Sequence, residues 1–303
     1  MNPIFIGSAT AIVTPFDKDG KINFEKFNEL IEFQIRNNTD ALVVCGTTGE
    51  GSTLSVDERL ELFKFAVDAA NNRVPIIGAT GSNSTAFTLE LGALAEQTGI
   101  DAHLIITPYY NKTSQTGLVK HFHTLADSFT KPIMMYNVPT RTGMNIEPQT
   151  YKKLSEHENI VAVKEADSNI SKIIKSMVAC EDQLDFYIGN DDMISVATSL
   201  GFKGVVSVLS NVLPKYTHEM TMHGFIGNCE KCSDMQKQVM DLIEKLFCDV
   251  NPVPIKHMMN KLGFDVGGCR LPLYATSENL SFEIEKALNE CENLIKQESE
   301  VLV

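Results

Sequence analysis

The segment IVAVKEAD, residues 160–167, ends an apolar run on a lysine, Lys164. A buried ammonium must be paired, must reach water along its own stem, or must lose its proton, because a low dielectric disfavours the charge. A neutral amine can attack a ketone, so one interpretation of Lys164 is a nucleophile. The ordinary interpretation is a lysine that ends a strand and pairs with a neighbouring glutamate.

Other apolar runs also end in residue types that bind or react. Taken singly, each ending has an ordinary structural explanation, since Thr-Gly pairs form turns and tyrosines cap strands. Taken together, an amine, a phenol, adjacent hydroxyls and an arginine form a set that nucleophilic catalysis on a keto acid needs. Tyr136, Thr47 and Thr48 would lie within reach of Lys164 if the endings share one face. The endings are TPF, GTTGE, TPYYNK, YNVPTRTG, KEAD and GNDD.

The chemistry that these residue types would support is imine formation. The amine needs a pocket that desolvates it and lowers its pKa, and the end of a packed strand supplies one. A phenol with a hydroxyl relay can carry the proton transfers that expel water. Gly46 and Gly49 would leave backbone N–H groups open to a substrate carboxylate.

Eight apolar runs of strand length would position these residues, and segments of helical period separate them. Nearly continuous apolar strands that alternate with helices indicate a parallel sheet covered on both faces. We therefore predict an α/β fold, a closed (β/α)8 TIM barrel, with an open doubly wound sheet as the alternative. No G-x-G-x-x-G follows the first run, which argues against the open sheet. The runs are 9–15, 41–46, 75–81, 102–108, 132–139, 160–167, 186–191 and 204–209.

The last part of the chain has a different pattern. After the eighth run only helix-period segments remain, so we expect a barrel domain over 1–225 and a C-terminal helical extension over 226–303. A length of 303 residues suits one barrel of about 250 residues with an extension.

Charge and cysteine content limit the partners and the compartment. The formal charge of −13 and the lack of a basic run make nucleic acid a poor partner. No run reaches the roughly 18 apolar residues that a membrane span needs, and the N-terminus lacks a basic segment typical of a leader. Seven scattered cysteines do not resemble a disulfide framework, so we expect reduced thiols and a cytoplasmic protein. Cys229 and Cys232 lack a second pair at zinc-finger spacing and are interpreted as structural.

With these motifs in view, the chain resembles the pyruvate-dependent class I aldolases and lyases, the family that includes dihydrodipicolinate synthase and N-acetylneuraminate lyase. The resemblance covers about residues 5–275, and GTTGE, TPYYNK, YNVPTRTG and the V-K-E-A around Lys164 carry it. It implies a (β/α)8 barrel with C-terminal helices and Lys164 as the Schiff-base lysine for pyruvate.

The resemblance also implies roles for the other residues of these motifs. Tyr136 would be the proton shuttle and Thr48 its relay partner, while Tyr110 would reach in from a neighbouring subunit. Thr47 and Thr48 would hold the pyruvate carboxylate. A homo-oligomer, commonly a tetramer built as a dimer of dimers, is implied as well. Less specific matches to pocket-lining positions are Gly189 and Val206.

Arg141, in V-P-T-R-T-G, separates branches of the family. An arginine there can hold a second carboxylate bidentately, which favours the synthase branch and the condensation of pyruvate with L-aspartate 4-semialdehyde to 4-hydroxy-tetrahydrodipicolinate in lysine and diaminopimelate biosynthesis. The alternatives are an aldolase for a 2-keto-3-deoxy sugar acid or for N-acetylneuraminate, and a non-catalytic keto-acid-binding protein. We expect no cofactor or metal, because the lysine itself supplies the electron sink.

A further departure within the family concerns feedback by L-lysine. Lysine-inhibited members have a histidine or tryptophan at the position that matches Val56 and a glutamate at the position that matches Phe87. Two ammonium groups need acceptors once they are desolvated, and Phe87 offers none. Arg59 would add like charge. We therefore expect an enzyme that is insensitive to lysine.

Overall fold

A computed structural model describes residues 2–299. Its central feature is a set of eight strands, all parallel, that close into a barrel in chain order. The strands are β1 Gly7–Ala11, β2 Ala41–Val44, β3 Ile76–Ala79, β4 Ala102–Ile106, β5 Ile133–Asn137, β6 Ile160–Glu165, β7 Asp185–Ile188 and β8 Gly204–Ser207.

Helices surround the barrel because each strand is buried on both faces and needs apolar cover outside. Helix α2 begins with the capping box that Ser55 and Glu58 predict, with both reciprocal hydrogen bonds formed. The helices of the barrel part are α1 Phe24–Arg36, α2 Val56–Ala70, α3 Thr85–Glu96, α4 Gln115–Ala126, α5 Pro139–Thr142, α6 Pro148–Ser155, α7 Ile170–Cys180, α8 Ile194–Ser199 and α9 Pro214–Phe225.

The rest of the described chain is helical and packs on the barrel part. The helix over residues 292–299 contacts α9, and the helix over residues 253–261 contacts the 3-10 turn Leu209–Asn211. These helices are α10 Cys229–Gln238, α11 Met240–Leu246, α12 Val253–Lys261, α13 Glu278–Glu290 and α14 Glu292–Ser299.

The barrel has two apolar cores, one on each side of the sheet. Small and branched side chains such as Ala9, Val43, Ala102 and Val206 fill the barrel interior. The larger core lies between the strands and the helices, and it continues into the C-terminal helices. The interior is therefore packed, and only the carboxyl ends of the strands are free to build a site.

The predicted closed barrel is confirmed, and each of the eight apolar runs overlaps a strand. Every strand is shorter than its run, as with β1, which ends at Ala11 rather than at residue 15. Most of the extra residues lie in the loops at the carboxyl face. The helical nature of the C-terminal part is also confirmed, whereas a domain boundary near residue 225 stays a prediction.

Two remaining predictions concern cysteines and membranes. All seven cysteines are free thiols, and Cys229 and Cys232 lie at the start of α10. Within residues 2–299, no helix has both the length and the apolar composition that a bilayer span needs.

Candidate active site

Lys164 lies near the carboxyl end of β6, between Tyr136 of β5 and Tyr187 of β7 in the strand register. Side chains alternate along a strand, and Ala162 belongs to the interior core while Val163 packs outside. Lys164 therefore faces the barrel interior at its open end. Its side chain is 6% exposed, and its Nζ lies 4.5 Å from the centre of the Tyr136 ring.

The environment of Lys164 favours the neutral amine. Burial lowers its pKa from 10.5 to about 8, while the negative charge of Asp191 raises the pKa and the positive charge of Arg141 lowers it further. Burial wins because the low dielectric penalises the ammonium more than one carboxylate stabilises it. A lysine with a pKa of about 8 has a much larger neutral fraction at pH 7 than an ordinary lysine, and the neutral amine is the nucleophile.

Tyr136 is buried beside the amine, and its hydroxyl shares a hydrogen bond with Thr47. Burial raises the pKa of Tyr136, and the charge of Arg141 and the hydrogen bond with Thr47 oppose that rise. The phenol therefore stays protonated and can pass its proton along a hydroxyl. The resemblance implies Thr48 as the relay partner of Tyr136, and this role stays a prediction, while the hydroxyl that acts on the pKa of the phenol is that of Thr47.

Thr48 points to a different neighbour. Its Oγ1 accepts a hydrogen bond of 2.9 Å from the amide Nδ2 of Asn251, which lies between α11 and α12 of the C-terminal part. Thr47 and Thr48 are adjacent on a loop, so one hydroxyl meets the phenol while the other meets the C-terminal part of the chain. Asn251 carries no motif signal and was not anticipated.

Glu165 is a second residue to which the motifs assign no role, and it supports Lys164 and Tyr136 from the outer side of the barrel. Glu165, next to Lys164, accepts hydrogen bonds of 2.8 Å from Asn137 Nδ2 and 2.5 Å from the hydroxyl of Tyr151. Asn137 is next to Tyr136, so this bond holds the two strand ends in register. Burial raises the pKa of Glu165, while Tyr151 and Asn137 help to keep it ionised. The only sequence signal for these bonds is that Glu165 directly follows Lys164 and that Asn137 directly follows Tyr136.

Asp191 is the third residue that sequence reasoning did not single out, although GNDD contains it. It is fully buried after β7, and its Oδ2 accepts hydrogen bonds from the backbone N–H of Val208 at 2.9 Å and of Leu209 at 3.1 Å. Burial raises the pKa of Asp191, and these hydrogen bonds with the charge of Lys164 lower it. The carboxyl therefore links the ends of β7 and β8 to the amine.

The glycine at position 189 makes room for the lysine. A Cβ at Gly189 would lie 2.9 Å from Cε and 3.3 Å from Cγ of Lys164. Val206 is buried in β8 among the interior side chains, close to the same end of the barrel. Gly189 thus borders the Lys164 side chain, while the place of Val206 in the pocket lining stays a prediction.

Arg141 and Tyr110 are exposed at the same face. Arg141 lies in the short helix α5, and its charge acts on the pKa of both Tyr136 and Lys164. Tyr110 is 91% exposed and has a left-handed φ of 67°, so it stands out from its own barrel. The resemblance implies that Tyr110 reaches the site of a neighbouring subunit, and that role stays a prediction.

A cavity of about 140 Å³ opens beside Tyr136 and Thr47. Leu104 and Ile106 of β4 form part of its wall. Lys164 does not line this cavity itself, but its Nζ lies 4.5 Å from the centre of the Tyr136 ring, which does. A buried amine beside a phenol and a hydroxyl that border a small open space is a set that can form an imine with a small keto acid.

A (β/α)8 barrel with a buried lysine at the carboxyl end of a strand is typical of barrel enzymes whose active site lies at the carboxyl ends of the strands. The chain belongs to the dihydrodipicolinate synthetase family, whose model matches residues 4–291. It is 48% identical over 284 residues to a 4-hydroxy-tetrahydrodipicolinate synthase of Acetivibrio thermocellus, covering 94% of this chain and 96% of that one.

Two further relatives give the same result. The synthase of Clostridium novyi is 45% identical over 297 residues, which is 98% of this chain and 99% of the relative. The crystal structure of dihydrodipicolinate synthase from Aquifex aeolicus superposes with a TM-score of 0.93 at 37% identity, covering 96% of this chain and 99% of that one. The resemblance stated from the motifs is therefore confirmed, and the chain is an enzyme of this family.

Proposed function

We propose that the enzyme is a 4-hydroxy-tetrahydrodipicolinate synthase that condenses pyruvate with L-aspartate 4-semialdehyde through a Schiff base on Lys164. The observation that carries this proposal is the buried Lys164, whose pKa is lowered to about 8, beside the Tyr136 phenol. Curated relatives at 45% to 48% identity carry that enzyme name. The product would enter lysine and diaminopimelate biosynthesis.

The reaction can be written with the residues of the site. The neutral amine of Lys164 attacks C2 of pyruvate, and the carbonyl oxygen takes up a proton as the carbinolamine forms. Departure of that oxygen as water leaves an imine. Loss of a proton from C3 gives an enamine, which attacks the aldehyde carbon of the second substrate. The amino group of that substrate then displaces Lys164 from C2, closing the ring and freeing the enzyme.

The other site residues take supporting roles. Tyr136 would move protons to and from the substrate oxygens, with Thr47 rather than Thr48 as the hydroxyl that it contacts. Hydroxyl and backbone donors of Thr47 and Thr48 would hold the pyruvate carboxylate. Arg141 would bind the carboxylate of the semialdehyde, because a guanidinium matches a carboxylate bidentately. Gly189 and Val206 would shape the pocket.

A paired assay tests this function against the nearest alternative. Pyruvate with L-aspartate 4-semialdehyde should give cyclic product, and cleavage of a 2-keto-3-deoxy sugar acid or of N-acetylneuraminate should be slower by orders of magnitude in kcat/KM. Faster sugar-acid cleavage would move the enzyme to an aldolase branch, and no turnover of either substrate despite pyruvate binding would favour a keto-acid-binding protein.

We also propose that the active assembly is a homo-oligomer, a tetramer built as a dimer of dimers. Support comes from Tyr110, whose 91% exposed side chain points away from its own barrel and could complete a neighbour's site. Mixing Tyr110→Phe chains with Lys164→Ala chains should restore some activity. No recovery despite proven subunit exchange would count against a shared site.

The seven free thiols favour a reducing compartment, and we propose the cytoplasm.

A further inference from the structure

Two buried contacts join the C-terminal part of the chain to the loop that carries Thr48. Asn251 Nδ2 donates to Thr48 Oγ1 at 2.9 Å, and Lys256 Nζ donates to Glu50 Oε1 at 2.6 Å. The side chains of Lys256 and Glu50 are 2% and 0% exposed, and Asn251 is buried as well. These contacts span about 200 positions of the sequence, so the loop does not hold its own shape by local bonds alone.

The contact at Thr48 determines how its hydroxyl can be used. A threonine hydroxyl has a single O–H donor and an oxygen that can accept. Because Asn251 donates to that oxygen, the O–H remains available to donate, and residues 2–299 offer it no acceptor in a hydrogen bond. A hydroxyl in this state suits an anionic ligand such as a carboxylate.

The contact at Glu50 fixes the other end of the same loop. Glu50 has a left-handed φ of 55°, and its Oε2 accepts the backbone N–H of Arg270 at 2.9 Å. Lys256 also donates to the backbone oxygen of Gly268 at 2.6 Å. The carboxylate is therefore held from two points of the C-terminal part, and the turn between Cys45 and Glu50 cannot shift without breaking a buried ion pair.

We propose that Asn251 is a positioning residue for substrate, which acts by holding the Thr48 hydroxyl so that its proton points to the pyruvate carboxylate. The inference rests on the proposed function and deepens it. The C-terminal part of the chain is then a part of the active site, although the site residues suggested by motifs all lie before residue 210. The Glu50–Lys256 pair sets the position of the loop, and Asn251 sets the direction of one donor on it.

The test measures how the borohydride-trapped pyruvate adduct on Lys164 depends on pyruvate concentration. Asn251→Ala should raise the half-saturating pyruvate concentration about tenfold, the loss of roughly one hydrogen bond to a charged group, with the same adduct at saturation. Asn251→Asp should raise it further, because a carboxylate would take the Thr48 proton and repel the substrate. If Asn251→Ala does not fold, Asn251→Asp, which keeps the side-chain shape, carries the same test.

A matched control separates positioning from general destabilisation. Asn260 makes its side-chain hydrogen bonds to Val266 and Gly267 within the C-terminal part, so Asn260→Ala removes an amide without touching the Thr48 loop. Its half-saturating concentration should stay within about twofold of the wild-type value. An equal rise in Asn251→Ala and Asn260→Ala would overturn the proposal.

A double-mutant cycle tests whether Asn251 acts through Thr48. In a Thr48→Val background, Asn251→Ala should change half-saturation less than twofold, because the oxygen that it positions is gone. A further tenfold rise there would overturn the proposal. Normal trapping by the wild type with unchanged half-saturation in Asn251→Ala would refute the positioning role alone, whereas no adduct on Lys164 in the wild type would refute the proposed function together with it.

Discussion

Replacing Asp191 by asparagine should move the pH dependence of imine formation to lower pH. Asp191 is buried near the amine, and its negative charge raises the pKa of Lys164 against the effect of burial. Asparagine keeps the shape and a carbonyl oxygen that can accept from the backbone N–H groups of Val208 and Leu209. The substitution therefore removes charge while the loop geometry is retained.

The size of the wild-type effect follows from the pKa of Lys164, which is about 8 rather than 10.5. At pH 7 about one tenth of the amine is neutral, against roughly one part in three thousand for an ordinary lysine, a gain of about 300-fold. At low pyruvate the rate of imine formation should rise about tenfold per pH unit and level off near pH 8. In Asp191→Asn the levelling should occur at lower pH, since the stabilising carboxylate is absent.

The assay is rapid mixing with pyruvate between pH 5.5 and 9.5, a borohydride quench and quantification of the Lys164 adduct by mass spectrometry. Asp192→Asn is the matched control, because it removes the same charge from an exposed neighbour and should leave the midpoint unchanged. A midpoint in Asp191→Asn at or above the wild-type value would refute the role of Asp191. A wild-type midpoint near 10.5 would refute the desolvated amine.

Three further substitutions test the site and its support. Tyr136→Phe should lower turnover about 10²- to 10⁴-fold with an unchanged unfolding midpoint, since it removes only the hydroxyl that meets Thr47, and near-normal turnover would remove it from the mechanism. Gly189→Ala should lower kcat by about 10²-fold, because its Cβ would lie 2.9 Å from Cε of Lys164, and unchanged kcat would contradict the tight fit. Lys256→Met should lower the free energy of unfolding by about 3–5 kcal/mol in denaturant titrations, since it leaves the Glu50 carboxylate buried without its partner, and adding Glu50→Gln should recover most of that loss. A loss below about 1 kcal/mol would show that water solvates the Glu50 carboxylate once Lys256 is absent.

The barrel could be predicted because its signal is local and repeated. Each buried strand corresponds to an apolar run in the sequence, and several runs end in the residue types that a site at the carboxyl face requires. Lys164 could be predicted as the central residue for the same reason, since an amine at the end of a buried strand needs an explanation. Strand lengths could not be predicted well, because loop residues after β1 and β5 are as apolar as the strands.

Contacts between distant parts of the chain could not be predicted from motifs. The turn that begins at Cys45, which has a left-handed φ, determines whether Thr47 or Thr48 contacts the phenol. The choice also depends on Asn251, which lies about 200 positions further along the chain and binds Thr48. Nothing in the local sequence marks Asn251 as a partner of that loop. Insensitivity to lysine stays a prediction.

The mass of the peptide that carries Lys164, measured after borohydride reduction with pyruvate, shows directly whether this lysine is the nucleophile. We expect this peptide alone to gain the mass of a reduced pyruvyl group, in a yield that approaches one per chain at saturating pyruvate. Lys256, the other buried lysine, should remain unmodified because its Nζ is bound to Glu50. An adduct on a different lysine, or no adduct while pyruvate is turned over, would contradict Lys164 as the nucleophile.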